Sequence, residues 1–172
     1  MRGLTTSERI AAFMAELGKR ARVSTNAYFT GGVTAVLLGW RDSTIDIDLK
    51  LIPDSDELLR ELPHVKESLG INVEFASPDD FIPELPGWRE RSVFIAQHGL
   101  VSFLHYDPYA QALSKIERGH RQDVEDVRSM LGSKLVDRGR LLDLYTRIED
   151  SLHRYPAIDA ASFRAAVLRA VG

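Results

Sequence analysis

The stretch Ile45–Ile52 constrains the fold most, because its apolar and polar residues alternate until Pro53 ends the pattern. Alternation with a period of two is typical of a β-strand that buries one face. It places Asp46, Asp48 and Lys50 together on the other face, with the Cβ atoms of the two aspartates about 7 Å apart. The chain is therefore expected to build a sheet that presents two neighbouring carboxylates.

A pair of glycines precedes this strand. The apolar stretch Ala27–Thr30 predicts a strand, Gly31 and Gly32 predict a turn, and Val33–Leu38 predicts a short helix. Glycines in such a turn expose backbone N–H groups at the start of the helix, where they can hold phosphate.

Two further segments predict the rest of the sheet. Ile71–Phe75 alternates, which predicts a third strand with Glu74 on the face opposite to Val73. The stretches Ser92–Ala96 and Leu100–Tyr106 predict two strands of a hairpin. The sheet is therefore expected to combine the strands of one hairpin with strands that are joined through helices.

Helical spacing covers most of the remaining chain. Ser7–Lys19 predicts an amphipathic helix with Ser7 as N-cap, and Ser55–Leu69 predicts a helix that Pro63 either divides or begins. Beyond these, only helices are predicted, over Pro108–Arg118, Arg121–Leu131, Asp137–Leu152 and Asp159–Val171. We therefore expect an α/β fold: a small mixed sheet flanked by helices in residues 1–107, with a C-terminal helical subdomain, residues 108–172, packed on this core.

Composition excludes several classes of protein. The 172 residues include no cysteine, which excludes disulfides, thiolate zinc sites and cysteine nucleophiles and fits a reducing compartment. No apolar run approaches the roughly 20 residues of a membrane span, and no signal-peptide core is present at the N-terminus. A cytoplasmic protein without a membrane partner is therefore expected.

Charge is distributed unevenly along the chain. The net charge is −3, with a balance of −5 in residues 1–114 and +2 in residues 115–172, so a strongly basic nucleic-acid-binding protein is not indicated. Acidic residues interleave with the arginines of the last helices, which favours a solvated mixed face over a basic face for RNA. These arginines are Arg138, Arg140, Arg147, Arg154, Arg164 and Arg169.

The glycine turn and the Asp46–Asp48 strand together predict a site for phosphate chemistry. Two carboxylates on one face repel each other unless a cation lies between them or water screens them. Mg²⁺ suits them, because it binds one or two carboxylates together with substrate phosphate oxygens. Taken separately, two glycines usually form only a turn, and Asp-x-Asp is usually a solvated strand face. In this order they predict metal-assisted phosphoryl or nucleotidyl transfer.

The stretch from Gly31 to Leu49 resembles the nucleotidyltransferase superfamily, whose hallmark is a glycine turn, an Asp-x-Asp strand and a third carboxylate on a later strand. Its form here, Gly-Gly…Leu-Gly-x-Arg-x-Ser-Thr-x-Asp-x-Asp, is similar to the head domain of CCA-adding and poly(A) polymerases. It is more similar to small bacterial toxin nucleotidyltransferases of the AbiEii/MenT type. The stretch Ala112–Val127 strengthens that second match, because those relatives carry a Leu-x-Lys…Arg…(Arg/Lys)-Asp-x-x-Asp-(Leu/Val) pattern in the helices after the core.

The resemblance implies a role for each matched residue. Asp46 and Asp48 would bind the metal, expected as two Mg²⁺ ions, with Glu74 as the candidate third carboxylate. Lys115 would contact the triphosphate. The implied catalytic residues are therefore the three carboxylates and Lys115. The implied nucleotide-binding residues are Gly31, Gly32, Arg41, Ser43, Thr44, Lys115, Asp123 and Asp126. The simpler alternatives are an exposed strand glutamate for Glu74 and a salt-bridged helix surface for the residues after 108.

The resemblance also implies an activity: transfer of a nucleoside monophosphate from an NTP to an acceptor hydroxyl, with release of pyrophosphate. The acceptor would be RNA, such as a tRNA 3′ end, and the chain would act as a toxin that a partner antitoxin restrains. Two alternatives stay open. One is a nucleotidyltransferase for a small molecule or a protein, as in antibiotic modification or AMPylation, and the other is a non-catalytic nucleotide-binding module.

Overall fold

A computed structural model describes residues 3–172 of the chain. They form two compact units. The first comprises the chain up to Ser77 together with Ser92–His105, and the second comprises Pro78–Arg91 and Tyr106–Gly172. Within residues 3–172, all strands lie in the first unit and the second is helical. The mixed α/β class predicted from the sequence is confirmed.

The first unit combines helices with strands. Its helices are α1 (Ser7–Arg20), α2 (Gly32–Leu37) and α3 (Asp56–Leu69). Its strands are β1 (Thr5–Thr6), β2 (Thr25–Thr30), β3 (Ser43–Thr44), β4 (Asp46–Ile52), β5 (Asn72–Phe75), β6 (Val93–His98) and β7 (Val101–His105). The order of elements follows the sequence prediction, apart from the short strands β1 and β3.

The main sheet has the strand order β5–β4–β2–β7–β6. Strand β4 runs parallel to β5 and antiparallel to β2, while β2 runs parallel to β7. The hairpin β6–β7 forms one edge, as predicted. Strands β1 and β3 form a separate antiparallel pair, which the sequence pattern did not predict because strands of two residues carry no readable period.

The apolar core of the unit lies against one face of this sheet. Ile47 and Leu49 of β4 are fully buried, as is Phe13 of α1. Phe29 of β2 stacks on Phe103 of β7 with ring centroids 5.6 Å apart. Burial of each such side chain contributes about 1.5–3 kcal/mol, and a slip of one residue would expose the whole row. The core therefore fixes which residues of β4 lie on the opposite, polar face.

The start of α1 differs by one residue from the prediction. The N-cap is Thr6, whose hydroxyl accepts a hydrogen bond from the backbone N–H of Arg9 at 3.4 Å, and Ser7 is already helical. Thr6 has extended backbone angles because it is also the last residue of β1, and an N-cap requires such angles. The prediction of Ser7 as N-cap is therefore wrong.

Pro63 does not divide the helix in which it lies. Helix α3 runs without a break from Asp56 to Leu69, with Pro63 exposed in its interior. Leu58, Leu62 and Val65 bury the same face before and after the proline. Tertiary packing therefore outweighs the loss of one backbone donor, which is the local effect on which the predicted break was based.

The second unit centres on α5 (Pro108–Arg118), which packs against α6 (Arg121–Gly132), α7 (Arg138–Glu149) and α8 (Ala160–Val171). A shorter helix, α4 (Trp88–Arg91), also belongs to this unit. The helix predicted over residues 137–152 is shorter than expected, because α7 ends at Glu149 and a separate 3₁₀ turn follows. Within residues 3–172, every helix is too short or too polar to cross a membrane.

Candidate active site

The parallel pairing of β4 with β5 places three carboxylates side by side. Asp46 pairs with Asn72, and Asp48 pairs with Glu74. Paired residues of neighbouring strands point to the same face, so Glu74 lies beside Asp48, and Asp46 is two residues along the same strand. Asp46 and Asp48 are partly exposed and Glu74 is exposed. The face is therefore open to a ligand.

Asn72 links two of these carboxylates, and the sequence reasoning missed it. Its side-chain amide donates one hydrogen bond to Asp46 Oδ1 at 2.5 Å and one to Glu74 Oε1 at 3.3 Å. The signal was present in the alternation of Ile71–Phe75, since Asn72 and Glu74 are two residues apart on one face. The contact of Asn72 with Asp46, however, depends on how β5 pairs with β4, and the sequence pattern does not predict that register.

The glycine turn lies against the carboxylate face. Gly31 adopts φ 63° and ψ −128°, a conformation that strongly favours glycine. A Cβ atom at Gly31 would come within 3.2 Å of Asp48 Oδ2, and one at Gly32 would collide with the Thr44 hydroxyl. Both glycines are therefore needed for the close approach of the turn to β3 and β4.

The loop before β4 is held by the small β1–β3 ladder. Thr44 pairs with Thr5 and Ser43 pairs with Thr6, while the Thr44 hydroxyl donates to the carbonyl of Asp46 at 3.2 Å. The Nη1 atom of Arg41 lies 3.4 Å from where a Cβ on Gly32 would be. Arg41 and Thr44 thus border the glycine turn, and Ser43 lies on the ladder beside it.

A buried polar pair anchors α2, the helix that follows the turn. The hydroxyl of Thr34 and Nδ1 of His105 are 2.9 Å apart, and both side chains are buried. Burial lowers the pKa of His105 from 6.5 to about 4, so the imidazole is neutral near pH 7. No local pattern marked His105 as part of this region. Its partner Thr34 is 71 positions away.

In the second unit, Lys115, Asp123 and Asp126 come together in a buried ion-pair cluster. Lys115 Nζ donates to Asp126 Oδ2 at 2.7 Å and lies 3.9 Å from Asp123 Oδ1. Arg118 binds Asp123 through two hydrogen bonds of 2.8 and 2.6 Å. Lys115 is only 6% exposed, and both aspartates are 1% exposed or less. Asp123 and Asp126 are therefore buried with cations of the chain against them.

The environment of Asp123 favours its charged form. Burial by itself raises the pKa of this carboxyl, but hydrogen bonds and charge from Arg118, the charge of Lys115 and the backbone N–H of His120 outweigh it. The pKa of Asp123 is therefore held below its ordinary value. The residue stays ionised at neutral pH and can keep its ion pairs.

The carboxylate face fits Mg²⁺ through its donor chemistry. Among residues 3–172, no group of three or more His, Cys, Asp or Glu side chains lies close enough to enclose a metal ion. Mg²⁺ does not need such a group, because it binds through one or two carboxylates and completes its shell with water and substrate phosphates. Asp46 and Asp48 supply oxygen donors of this kind, next to a turn that can accept the phosphates.

The mixed sheet, with a glycine turn at the end of β2 and carboxylates on the polar face of β4 and β5, defines a nucleotidyltransferase-like fold. The chain belongs to the family described as "nucleotidyltransferase of unknown function (DUF6036)", whose model matches residues 8–168. No curated protein and no solved structure shows a significant match. Membership gives the class, a nucleotidyltransferase acting on an NTP.

Proposed function

We propose that the protein transfers a nucleoside monophosphate from an NTP to an acceptor hydroxyl, with release of pyrophosphate. The observation that carries the proposal is the β4–β5 register, which sets Glu74 beside Asp48 while the glycine turn approaches Asp48 from β2. Carboxylates and the glycine turn at the start of α2 meet here, as a bound nucleoside triphosphate and its cations require.

Each residue of the face would have a separate task. Asp46 and Asp48 would hold two Mg²⁺ ions, which when bound neutralise phosphate charge and activate an attacking hydroxyl. Glu74, one strand away, would accept the proton of the acceptor hydroxyl. Gly31 and Gly32 would donate backbone N–H groups to the phosphates. At the edge of the turn, Arg41 would add a guanidinium, while Ser43 and Thr44 shape the loop.

For the second unit, the proposal is a supporting role in nucleotide binding. Lys115 would offer a positive charge to the triphosphate, oriented by Asp123 and Asp126. This role follows from the motif in residues 112–127. The ion pair with Asp126 would keep Lys115 in one conformation, which is the property that a point charge for phosphate needs.

For the acceptor, we propose RNA, such as the 3′ end of a tRNA, with the protein acting as a toxin that an antitoxin protein restrains. The support is the resemblance of residues 31–49 and 112–127 to toxin nucleotidyltransferases. A small-molecule or protein acceptor would use the same carboxylates, so only the identity of the product separates these possibilities.

The test is incubation of the purified chain with each of the four α-labelled NTPs and Mg²⁺, in separate reactions with tRNA and with cell protein. We expect label on RNA with one NTP, none after chelation, and none with Asp46→Asn. Label on protein alone would overturn the RNA acceptor and keep the transfer activity. Binding of NTP without any transfer would instead support a nucleotide-binding module.

A further inference from the structure

A cleft lies within the second unit, and of its lining residues only Lys115 has a proposed role in nucleotide binding. Its volume is about 630 Å³, and residues of α5, α6, α7 and α8 line it. Helix α5 packs against both α6 and α8, and all three helices contribute lining residues. The size of the cleft falls within the range of about 300–1,000 Å³ that is usual for ligand pockets.

The cleft is positively charged. Arg128, Arg138 and Arg169 line it, and no aspartate or glutamate does. Arg128 and Arg169 are exposed and form no ion pair with any residue from 3 to 172, whereas Arg164 on the same helix as Arg169 is paired with Glu149. Arg128 and Arg169 therefore bring charge to the cleft that no carboxylate in residues 3–172 neutralises.

Apart from Lys115, whose ammonium is paired with Asp126, and three glycines, the remaining lining is aliphatic. It comes from Ile116, Val124, Val127, Leu131, Ala166 and Ala170. Val124 is 43% exposed although it is a large apolar residue. Among the residues that line the cleft, none is aromatic and none is an amide or hydroxyl side chain. The surface thus combines aliphatic contacts with guanidinium groups.

We propose that this cleft docks an amphipathic helix of a partner protein, with aliphatic residues on one stripe and Asp or Glu beside it. Aliphatic residues at i, i+3, i+4 and i+7 of such a helix fit an aliphatic groove. Guanidinium groups match carboxylates in bidentate geometry. RNA is the less favoured ligand, because the lining offers guanidinium groups but no aromatic ring for base stacking and no amide or hydroxyl side chain for base edges.

The test uses the full chain and a fluorescent peptide of about 16 residues, with leucines at helical spacing and glutamates beside them. A matched peptide has lysine in place of each glutamate, and a second has serine in place of each leucine. Fluorescence anisotropy should show binding of the acidic amphipathic peptide, weakening as salt rises, and no comparable binding of either control. A single-stranded RNA oligonucleotide of similar charge serves as the competing probe.

Variants locate the site. Arg128→Glu and Arg169→Glu should each weaken peptide binding about tenfold or more, and Ala166→Trp should block the cleft. Arg147→Glu, an exposed arginine of the same unit outside the cleft, should bind as the wild type does. Circular dichroism checks that each variant is folded.

Three outcomes would overturn the proposal: equal affinity for the acidic and basic peptides, an unchanged affinity in Arg128→Glu, or binding of RNA alone. NTP transfer does not enter the readout, so the two proposals fail independently.

Discussion

The polar face of β4 and β5 and the ion-pair cluster of the second unit both contain neighbouring carboxylates. The environments of these carboxylates are opposite. On the sheet, Asp46 and Glu74 share an amide donor, Asn72, and lie open to solvent. In the helical unit, Asp126 is fully buried and accepts a hydrogen bond from Lys115. The carboxylates of both sets were candidate site residues through the family resemblance.

The difference teaches how to separate carboxylates that bind ligands from carboxylates that hold a fold. A buried carboxylate requires a cation of the chain, because its desolvation costs several kcal/mol if it is unpaired. Exposed neighbouring carboxylates gain little stability from the fold and repel one another, which leaves them available for a cation from solution. Substitution on the sheet should therefore lower activity alone, whereas substitution in the cluster should lower stability in addition to any effect on nucleotide binding.

The largest effect is expected for Asp48→Asn. Loss of one metal-binding carboxylate should lower nucleotide transfer about 10³-fold, since a bound metal supplies several kcal/mol of transition-state stabilisation. The free energy of unfolding should stay within about 0.5 kcal/mol of wild type, because the side chain is not in the core. Rates with labelled NTP and urea unfolding measure both quantities. Asp54→Asn, an exposed aspartate after β4, is the control, and a fully active Asp48→Asn would refute the site.

The opposite result is expected for Asp126→Asn. This change leaves the ammonium of Lys115 buried without its closest partner and should lower the free energy of unfolding by about 3 kcal/mol. The cost is at the lower end of the usual range because Asp123 remains 3.9 Å from the ammonium. Urea unfolding is the measurement, and Glu125→Gln on the exposed face of the same helix is the control. A variant as stable as the wild type would contradict the structural role of the cluster, whereas lower stability together with weaker NTP binding would agree with both proposed roles.

Acid should act differently on the two units. The folded-state pKa of His105 is about 4, below the unfolded value of 6.5, so its contribution to stability is complete above pH 6.5 and declines as the pH falls towards 4. By pH 5 the loss should be about 2 kcal/mol. The pKa of Asp123 is also lowered, and its contribution declines only below about pH 3.9, the unfolded value.

Hydrogen exchange of backbone amides at pH 7 and pH 5, corrected for intrinsic rates, measures this difference by unit. From pH 7 to pH 5, the frequency of local opening that exchange reports should increase in β7 and α2. It should stay constant in α5 and α6. In His105→Asn, which keeps a polar partner for the Thr34 hydroxyl, the difference between the two pH values should disappear. An equal increase in both units would contradict the assignment to His105.

A smaller effect is expected for Asn72→Ala. The amide orients Asp46 and Glu74, and loss of such a supporting hydrogen bond typically costs about 10–100-fold in metal affinity or activity. The Mg²⁺ concentration for half-maximal transfer should rise, a readout that a purely structural role would not change. Asn26→Ala, on the far end of the same sheet, is the matched control. An unchanged Mg²⁺ dependence would leave Asn72 without a role in the site.

Several elements were predictable because their causes are local. The alternation of β4 reflects one buried face, and the spacing of Pro108–Arg118 reflects one apolar helix face; both elements occur as expected, with Asp107 accepting a hydrogen bond at the start of the latter. The continuity of α3 through Pro63 was not predictable. It depends on burial of Leu58 and Val65 on either side of the proline, which is a property of the packed unit.

The sequence by itself determined the mixed α/β class, the glycine turn and the common face of Asp46 and Asp48. The common face follows because side chains two residues apart on a strand point the same way. Only the tertiary structure decided that Glu74 stands beside Asp48, that Asn72 joins Asp46 to Glu74, and that Lys115 is buried against Asp126. Strand register and helix packing bring together residues that are distant along the chain. Local patterns report which face a residue occupies, and the packing of the whole unit selects its neighbours.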